Sequence, residues 1–130
     1  MTDETELASV RYIVDDVPAA VDFYTEQFGF TVAFAVAPLA DLRRGPLRLL
    51  VSGPQTSGAR ATPDDAAGAG RNRIHLIVDD LEAEIERMRA AGVTFRSELV
   101  SGPGGRQILV ADPAGNLVEV FQRARDATTH

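Results

Sequence analysis

An internal repeat constrains the fold more than any other feature of the sequence. Tyr12 to Tyr24 reads YIVDDVPAAVDFY and Leu76 to Met88 reads LIVDDLEAEIERM, so the two copies are offset by 64 residues. In each copy an apolar run and an IVDD motif precede apolar residues at helical spacing. Such a repeat indicates that one supersecondary unit occurs twice in the chain.

Each copy predicts a strand followed by a capped helix. Asp16 and Asp80 are the expected N-caps, because a carboxylate there accepts the free amide hydrogens of the first turn. Gly29 and Gly92 are expected to end the two helices. The predicted strands are Val10–Val14 and Ile74–Val78. The expected buried helix positions are Val17, Ala20, Val21, Tyr24, Phe28, Leu81, Ile85 and Met88. The expected pairs on the helix surface are Glu84–Arg87 and Glu86–Arg89.

Three strand-like runs follow each helix, so each unit is βαβββ. The predicted strands are Phe30–Val36, Leu39–Arg43, Leu47–Ser52, Val93–Leu99, Gln107–Ala111 and Leu117–Gln122. We therefore predict one α+β domain over residues 1–130, in which two tandem repeats form a curved mixed sheet around a cleft, with the helices outside. The first repeat covers about residues 8–52 and the second about 71–122; residues 53–70 form a linker or flap and residues 123–130 a frayed tail.

Alternation along the strands predicts a half-polar face opposite the helices. Charged groups are unfavourable in a core unless they are paired, but they are ordinary in a ligand cleft. Alternatively, the arginines simply pair with Glu119, Asp79 or Asp41. The predicted ligand-binding residues are Ser9, Arg11, Arg48, Leu50, Ser52, Arg73, His75, Gln107, Glu119 and Phe121.

Composition excludes several classes of function. The chain has no cysteine, which excludes thiol catalysis and thiolate metal sites. Its net charge of −6 argues against a nucleic-acid partner. No apolar run is long enough to span a bilayer, and the acidic start MTDETELA lacks the pattern of a signal peptide, so no membrane association and a cytoplasmic location are expected. The glycine-rich stretch SGPGGR lacks the rest of a P-loop and predicts a hairpin loop.

Two motifs resemble the vicinal oxygen chelate superfamily, which includes glyoxalases, bleomycin-resistance proteins and extradiol dioxygenases. The stretch VDDVPAAVDFYTEQFGF resembles its opening helix, with matches at Asp16, Phe23, Tyr24, Gly29 and Phe30. The stretch DPAGNLVEVFQ, from Asp112 to Gln122, resembles its closing turn and strand. The resemblance covers roughly residues 8 to 122 and implies a small-molecule ligand and a homodimer.

Enzymes of this family hold a divalent metal with four side chains, and the resemblance implies where these would lie here. The four positions correspond to Ser9, a position at or next to Ser52, Arg73 and Glu119. Only Glu119 is a ligand-type residue, because serine is a poor neutral ligand and a guanidinium repels a cation. His75 points to the same face but supplies only a second ligand. We therefore expect no metal cofactor.

Three functions remain open from the sequence. The first is a metal-independent binding protein that sequesters an antibiotic or another organic ligand with an anionic group, as family members without metal ligands do. The second is a glyoxalase-like lyase or isomerase, or a dioxygenase-type enzyme, in which Glu119 and His75 are catalytic. The third is a partner-binding module, for which the sequence offers no specific feature.

Overall fold

The computed structural model describes residues 8–61 and 72–124, and the chain divides into two compact units, Met1–Ala69 and Gly70–His130. The first unit contains β1 (Ala8–Ile13), α1 (Val17–Phe28), β2 (Thr31–Val36), β3 (Leu39–Arg44), β4 (Leu47–Ser52) and α2 (Ser57–Ala61). The second unit contains β5 (Arg73–Ile77), α3 (Leu81–Ala90), β6 (Thr94–Phe95), β7 (Val100–Gly102), β8 (Gly105–Ala111) and β9 (Leu117–Arg123).

Each unit has its own mixed sheet. The strand order is β1-β4-β3-β2 in the first unit, where β1 and β4 are parallel and the other pairs are antiparallel. The second unit repeats this arrangement as β5-β9-β8-β6, with β5 and β9 parallel and β7 also paired to β8. The prediction of an α+β fold with two βαβββ repeats is confirmed. None of the helices in the described ranges combines the length and apolar character needed to cross a bilayer.

The helices begin where the sequence predicts. Asp16 accepts a hydrogen bond from the Ala19 amide at 3.0 Å, and Asp80 accepts one from the Ala83 amide at 3.1 Å. Gly29 has φ of 68° and its amide donates to the Tyr24 carbonyl, which is a left-handed C-cap that glycine adopts without strain. In the second unit Ala90 is the last residue of α3, and Gly92 follows two positions later with φ of 78°.

One apolar side of each sheet packs against its helix. Val17, Ala20, Tyr24 and Phe28 of α1 are buried, as are Leu81, Ile85 and Met88 of α3, whereas Val21 is only partly buried. Burying one such large apolar side chain contributes roughly 1.5–3 kcal/mol. The largest fully buried apolar side chains of the strands in these cores are Leu42, Leu49, Val51, Val110, Val118 and Val120.

The structure differs from the sequence predictions at four further points. Of the predicted strand Val93–Leu99 only Thr94–Phe95 forms a strand, β6, and β7 begins beyond it at Val100. The Ser97 hydroxyl accepts the Leu109 amide hydrogen at 2.9 Å, which interrupts the backbone ladder between them. Part of the expected linker forms α2, where the Thr56 hydroxyl caps the helix by accepting from the Ala59 amide at 3.2 Å; residues 62–70 lie outside the described ranges.

The other corrections concern surface pairs and the tail. The Glu84–Arg87 pair forms at 2.6 Å, but Arg89 lies over the Phe95 ring at 5.3 Å rather than against Glu86. Arg123, predicted to begin the tail, is the last residue of β9; residues 125–130 lie outside the described ranges.

Candidate functional site

The side of the first sheet opposite α1 carries all five site residues that were predicted in this unit. On the parallel pair β1–β4, Ser9 lies beside Arg48 and Arg11 beside Leu50. Ser52 lies beside Ile13 at the end of the same pair. Since alternate strand residues share a face, Ser9, Arg11, Arg48, Leu50 and Ser52 form one surface, which we call the first polar face.

Asp41 of β3 organises the charges of this face. It accepts two hydrogen bonds from Arg43, from Nε to Oδ1 at 3.0 Å and from Nη2 to Oδ2 at 2.9 Å. The hydrogen bond from Arg43 holds the pKa of Asp41 below its ordinary value, despite the opposing effect of burial, and the charges of Arg43 and Arg48 act in the same direction. The sequence analysis missed Arg43, although its position two residues after Asp41 in a strand places both on one face.

The two predicted arginines of this face have different partners. Arg11 donates from Nη1 to the buried hydroxyl of Ser52 at 2.9 Å. Arg48 has its Nε 3.4 Å from Oδ2 of Asp41, but this buried nitrogen has no hydrogen-bond partner among the described residues. The Arg48 side chain as a whole is 29% exposed, so its terminal nitrogens reach the surface.

The second sheet has an equivalent polar face with the other five predicted residues. His75 lies beside Glu119 on the parallel pair β5–β9, and Gln107 of β8 lies opposite Phe121. The His75 and Phe121 rings are 5.0 Å apart at 39°. This second polar face thus contains Arg73, His75, Gln107, Glu119 and Phe121.

Glu119 is the buried centre of the second polar face. Arg73 donates from Nε to Oε1 at 2.9 Å, and His75 Nε2 lies 3.5 Å from Oε2. The Glu119 residue is only 8% exposed, whereas the Arg73 and His75 side chains are 40% and 46% exposed. Arg73 therefore follows the alternative interpretation, in which an arginine of the face pairs with Glu119.

The residues at the metal positions implied by the family resemblance do not fit a divalent cation. Glu119 already faces a guanidinium, and the Ser52 hydroxyl accepts a hydrogen bond from Arg11. Within the described ranges no three or more His, Asp and Glu side chains come together in a way that could hold a metal ion. A site for a divalent metal needs several hard or imidazole donors, which these positions do not supply.

A groove of about 450 Å³ lies elsewhere in the second unit, beside α3, and we call it the outer groove. It includes none of the predicted site residues. Glu82 is paired with Arg106 at 2.8 Å, and the two other carboxylates of the groove outnumber its one arginine, Arg89, which makes it unfavourable for an anionic ligand. It is lined by Glu82, Ile85, Glu86, Arg89, Phe95, Ser97, Glu98, Leu99 and Ile108.

Comparison with known proteins identifies the family. The family model described as the Glyoxalase/Bleomycin resistance protein/Dioxygenase superfamily matches residues 6–120. The chain belongs to this superfamily, as its two βαβββ units and its opening and closing motifs also indicate.

Individual relatives agree with this assignment. The uncharacterized protein Mb0911c of Mycobacterium bovis is 30% identical over 128 residues, which cover 91% of this chain and 84% of that protein. The crystal structure of a lactoylglutathione lyase from Agrobacterium tumefaciens is 25% identical with a TM-score of 0.72, covering 93% of this chain and 96% of that one. The crystal structure of TioX from Micromonospora sp. ML1 is 27% identical with a TM-score of 0.70, covering 91% and 98%.

Proposed function

We propose that this protein is a metal-independent small-molecule-binding protein of the glyoxalase/bleomycin resistance type. Its ligand is an antibiotic or another organic molecule with an anionic group, which the protein sequesters. The observation that carries the proposal is the 2.9 Å pair between Arg73 Nε and Glu119 Oε1. The family pattern implies that this carboxylate binds a metal ion. Here a guanidinium lies beside it instead.

Each polar face carries groups of the kind that such a ligand requires. Arginine provides planar, bidentate donors for carboxylate or phosphate groups. Leu50 and Phe121 provide apolar area, and Gln107 and the serines provide neutral hydrogen-bonding groups. The proposed ligand-binding residues are those of the first and second polar faces as defined above.

A second candidate function is a glyoxalase-like lyase or isomerase, or a dioxygenase-type enzyme. It is favoured by the 3.5 Å approach of His75 Nε2 to Glu119 Oε2, because a histidine and a carboxylate at this distance can share acid–base work. This enzyme would lose turnover in both Glu119→Gln and His75→Asn. If turnover is unchanged in both variants, these two residues are excluded as catalytic groups.

The measurement that tests the metal-independent proposal is the metal content of the protein purified without a histidine tag, together with melts in Mn²⁺, Fe²⁺, Ni²⁺ and Zn²⁺. We expect no stoichiometric metal and no stabilisation. A metal present at 100 times its Kd would instead stabilise the folded state by about 2.7 kcal/mol, which is a shift of several degrees. Such a shift, lost in Glu119→Gln, would contradict the proposal and favour the enzyme.

A melt screen with anionic aromatic compounds and antibiotics then tests ligand binding. A saturating ligand is expected to raise Tm by several degrees for the same thermodynamic reason. We also propose a homodimer as the assembly, supported by the apolar exposed edge strand β2. The cytoplasmic location stays a prediction.

A further inference from the structure

The two polar faces differ in how far their arginines are neutralised. Around Glu119, one arginine, Arg73, faces one carboxylate. Around Asp41, two arginines, Arg43 and Arg48, share one carboxylate, and Arg11 adds a further positive charge on the same face. An anion therefore meets a positive potential on the first polar face and a balanced ion pair at Glu119.

Arg48 has donors that the described part of the chain leaves unused. Its side chain makes no hydrogen bond within the described residues, and its one ion-pair contact is the 3.4 Å approach of Nε to Oδ2 of Asp41. That oxygen already accepts a hydrogen bond from Arg43 at 2.9 Å. Because a guanidinium carries five N–H donors, Arg48 can bind a further oxyanion through its exposed terminal nitrogens without giving up an existing hydrogen bond.

Arg11 lies close enough to share such an anion. Arg48 of β4 lies beside Ser9 of β1. Arg11 follows Ser9 by two residues on β1, so it lies on the same face of the sheet as Arg48. Neighbouring strands are about 4.8 Å apart and alternate residues roughly 6.6 Å apart, so both long side chains can reach one group. Leu50, which lies beside Arg11, offers apolar surface to the rest of the ligand.

We infer that Arg11 and Arg48 form the subsite for the anionic group of the ligand, an oxyanion such as carboxylate, phosphonate or sulfonate joined to an apolar body, while Arg73 is retained by Glu119. This inference rests on the proposed function. It specifies that two of the three predicted arginines, Arg11 and Arg48, bind the anionic group of the ligand. Paired guanidinium groups suit such an oxyanion because each presents a planar fork of donors.

The test is a titration of the ¹⁵N-labelled protein with phenylphosphonate and with benzoate, followed at the arginine Nε–Hε signals, with single Arg→Lys variants to assign them. We expect saturable shifts of the Arg48 and Arg11 signals and no comparable shift for Arg73. Benzyltrimethylammonium, which has the same aromatic body and the opposite charge, is expected to shift neither. Inorganic phosphate separates recognition of the charge alone from recognition of the whole ligand, and ionic strength is held constant with NaCl throughout.

Affinities of variants give a second measurement. Arg48→Gln is expected to weaken phenylphosphonate binding at least about tenfold, as the loss of a charged hydrogen bond does. Arg60→Gln removes the same charge from the exposed helix α2 and is the control, expected to change the affinity less than about twofold. Unchanged backbone spectra would establish that both variants are folded.

The outcomes separate this inference from the proposed function. Saturable binding that shifts the Arg73 signal and leaves Arg48 unmoved, or an Arg48→Gln variant that binds as tightly as the unsubstituted protein, would overturn the inference alone. Failure of every anionic compound to shift any arginine signal or the melting temperature would overturn both. Equal shifts with the cationic probe would show that the aromatic body, not the oxyanion, is recognised.

Discussion

At the scale of single residues, the arrangement of charges depends on two buried carboxylates, Asp41 and Glu119. Each is held by a hydrogen bond from an arginine Nε, at 3.0 Å and 2.9 Å, and each lies mostly out of solvent. A buried carboxylate without such partners would be strongly destabilising. Arg43 and Arg73 therefore use some of their hydrogen-bond donors on these carboxylates, and those donors are not free for a ligand.

Asp41 gives a pH-dependent prediction. Because its pKa is lower in the folded protein than its ordinary value of 3.8, its contribution to the free energy of unfolding is complete above that value and is lost as the pH falls through the folded pKa. Asp41→Asn is expected to lower the free energy of unfolding by about 1–3 kcal/mol at neutral pH. The difference from the unsubstituted protein should shrink when the pH is lowered below about 4.

Urea unfolding at several pH values measures this difference. Asp22→Asn, at an exposed position of α1, reports the general effect of removing one negative charge. A difference for Asp41→Asn that stays constant down to the acid transition would contradict an ion-paired Asp41.

At the scale of elements, the hairpin of β7 and β8 depends on one of its glycines. Gly102 and Gly105 are paired across a turn at Pro103 and Gly104, as expected for the SGPGGR stretch. A Cβ on Gly105 would collide with the Gln122 carbonyl and lie 2.9 Å from the Phe121 ring, and its φ of 152° is at the edge of the range that side chains avoid. A Cβ on Gly102 would meet no atom of the described residues within 4 Å.

Gly105→Ala is therefore expected to destabilise the protein by about 2–4 kcal/mol, since backbone must shift to relieve the collision. Gly102→Ala is the matched control in the same hairpin and is expected to change stability by less than about 1 kcal/mol. Thermal or urea unfolding of both variants measures the difference. Equal stabilities for the two would contradict the close approach of β8 and β9 at Gly105.

At the scale of the whole molecule, the exposed edge strand β2 is the feature most relevant to assembly. All six of its residues are exposed, including Val32, Phe34 and Val36 at 48%, 55% and 47%, and within the described residues it pairs only with β3. An apolar edge strand of this length is prone to associate with another chain. This supports the proposed homodimer.

The dimer is testable by one substitution on that strand. Phe34→Glu is expected to shift the mass measured by light scattering from dimer towards monomer, because a charge buried in such an interface would lack a partner. Leu99→Glu, at another exposed apolar position, is the control and is expected to leave the mass unchanged. A monomeric unsubstituted protein would contradict the proposal directly.

Most of the fold could be predicted from the sequence, because the signals are local. The caps at Asp16 and Asp80 and the alternation of β4 each depend on residues within a few positions of one another, and the repeat is recognised because the same local pattern recurs 64 residues later. The break between β6 and β7 could not be predicted, since it depends on the Ser97 hydroxyl meeting the Leu109 amide twelve residues away. That the predicted site residues bind a ligand stays a prediction.

By itself the sequence determined the two βαβββ units, the face on which each polar side chain lies, and the ligand types at the metal positions that the family resemblance implies. Only the tertiary structure decided which charges neutralise one another: Arg73 pairs with Glu119 and Arg43 with Asp41, while the Nε of Arg48 has no hydrogen-bond partner in the described ranges. The reason is that a strand pattern specifies direction, whereas the partner of a charged side chain depends on side-chain conformation and on the register between strands, as at Arg73 and Glu119, which are 46 residues apart.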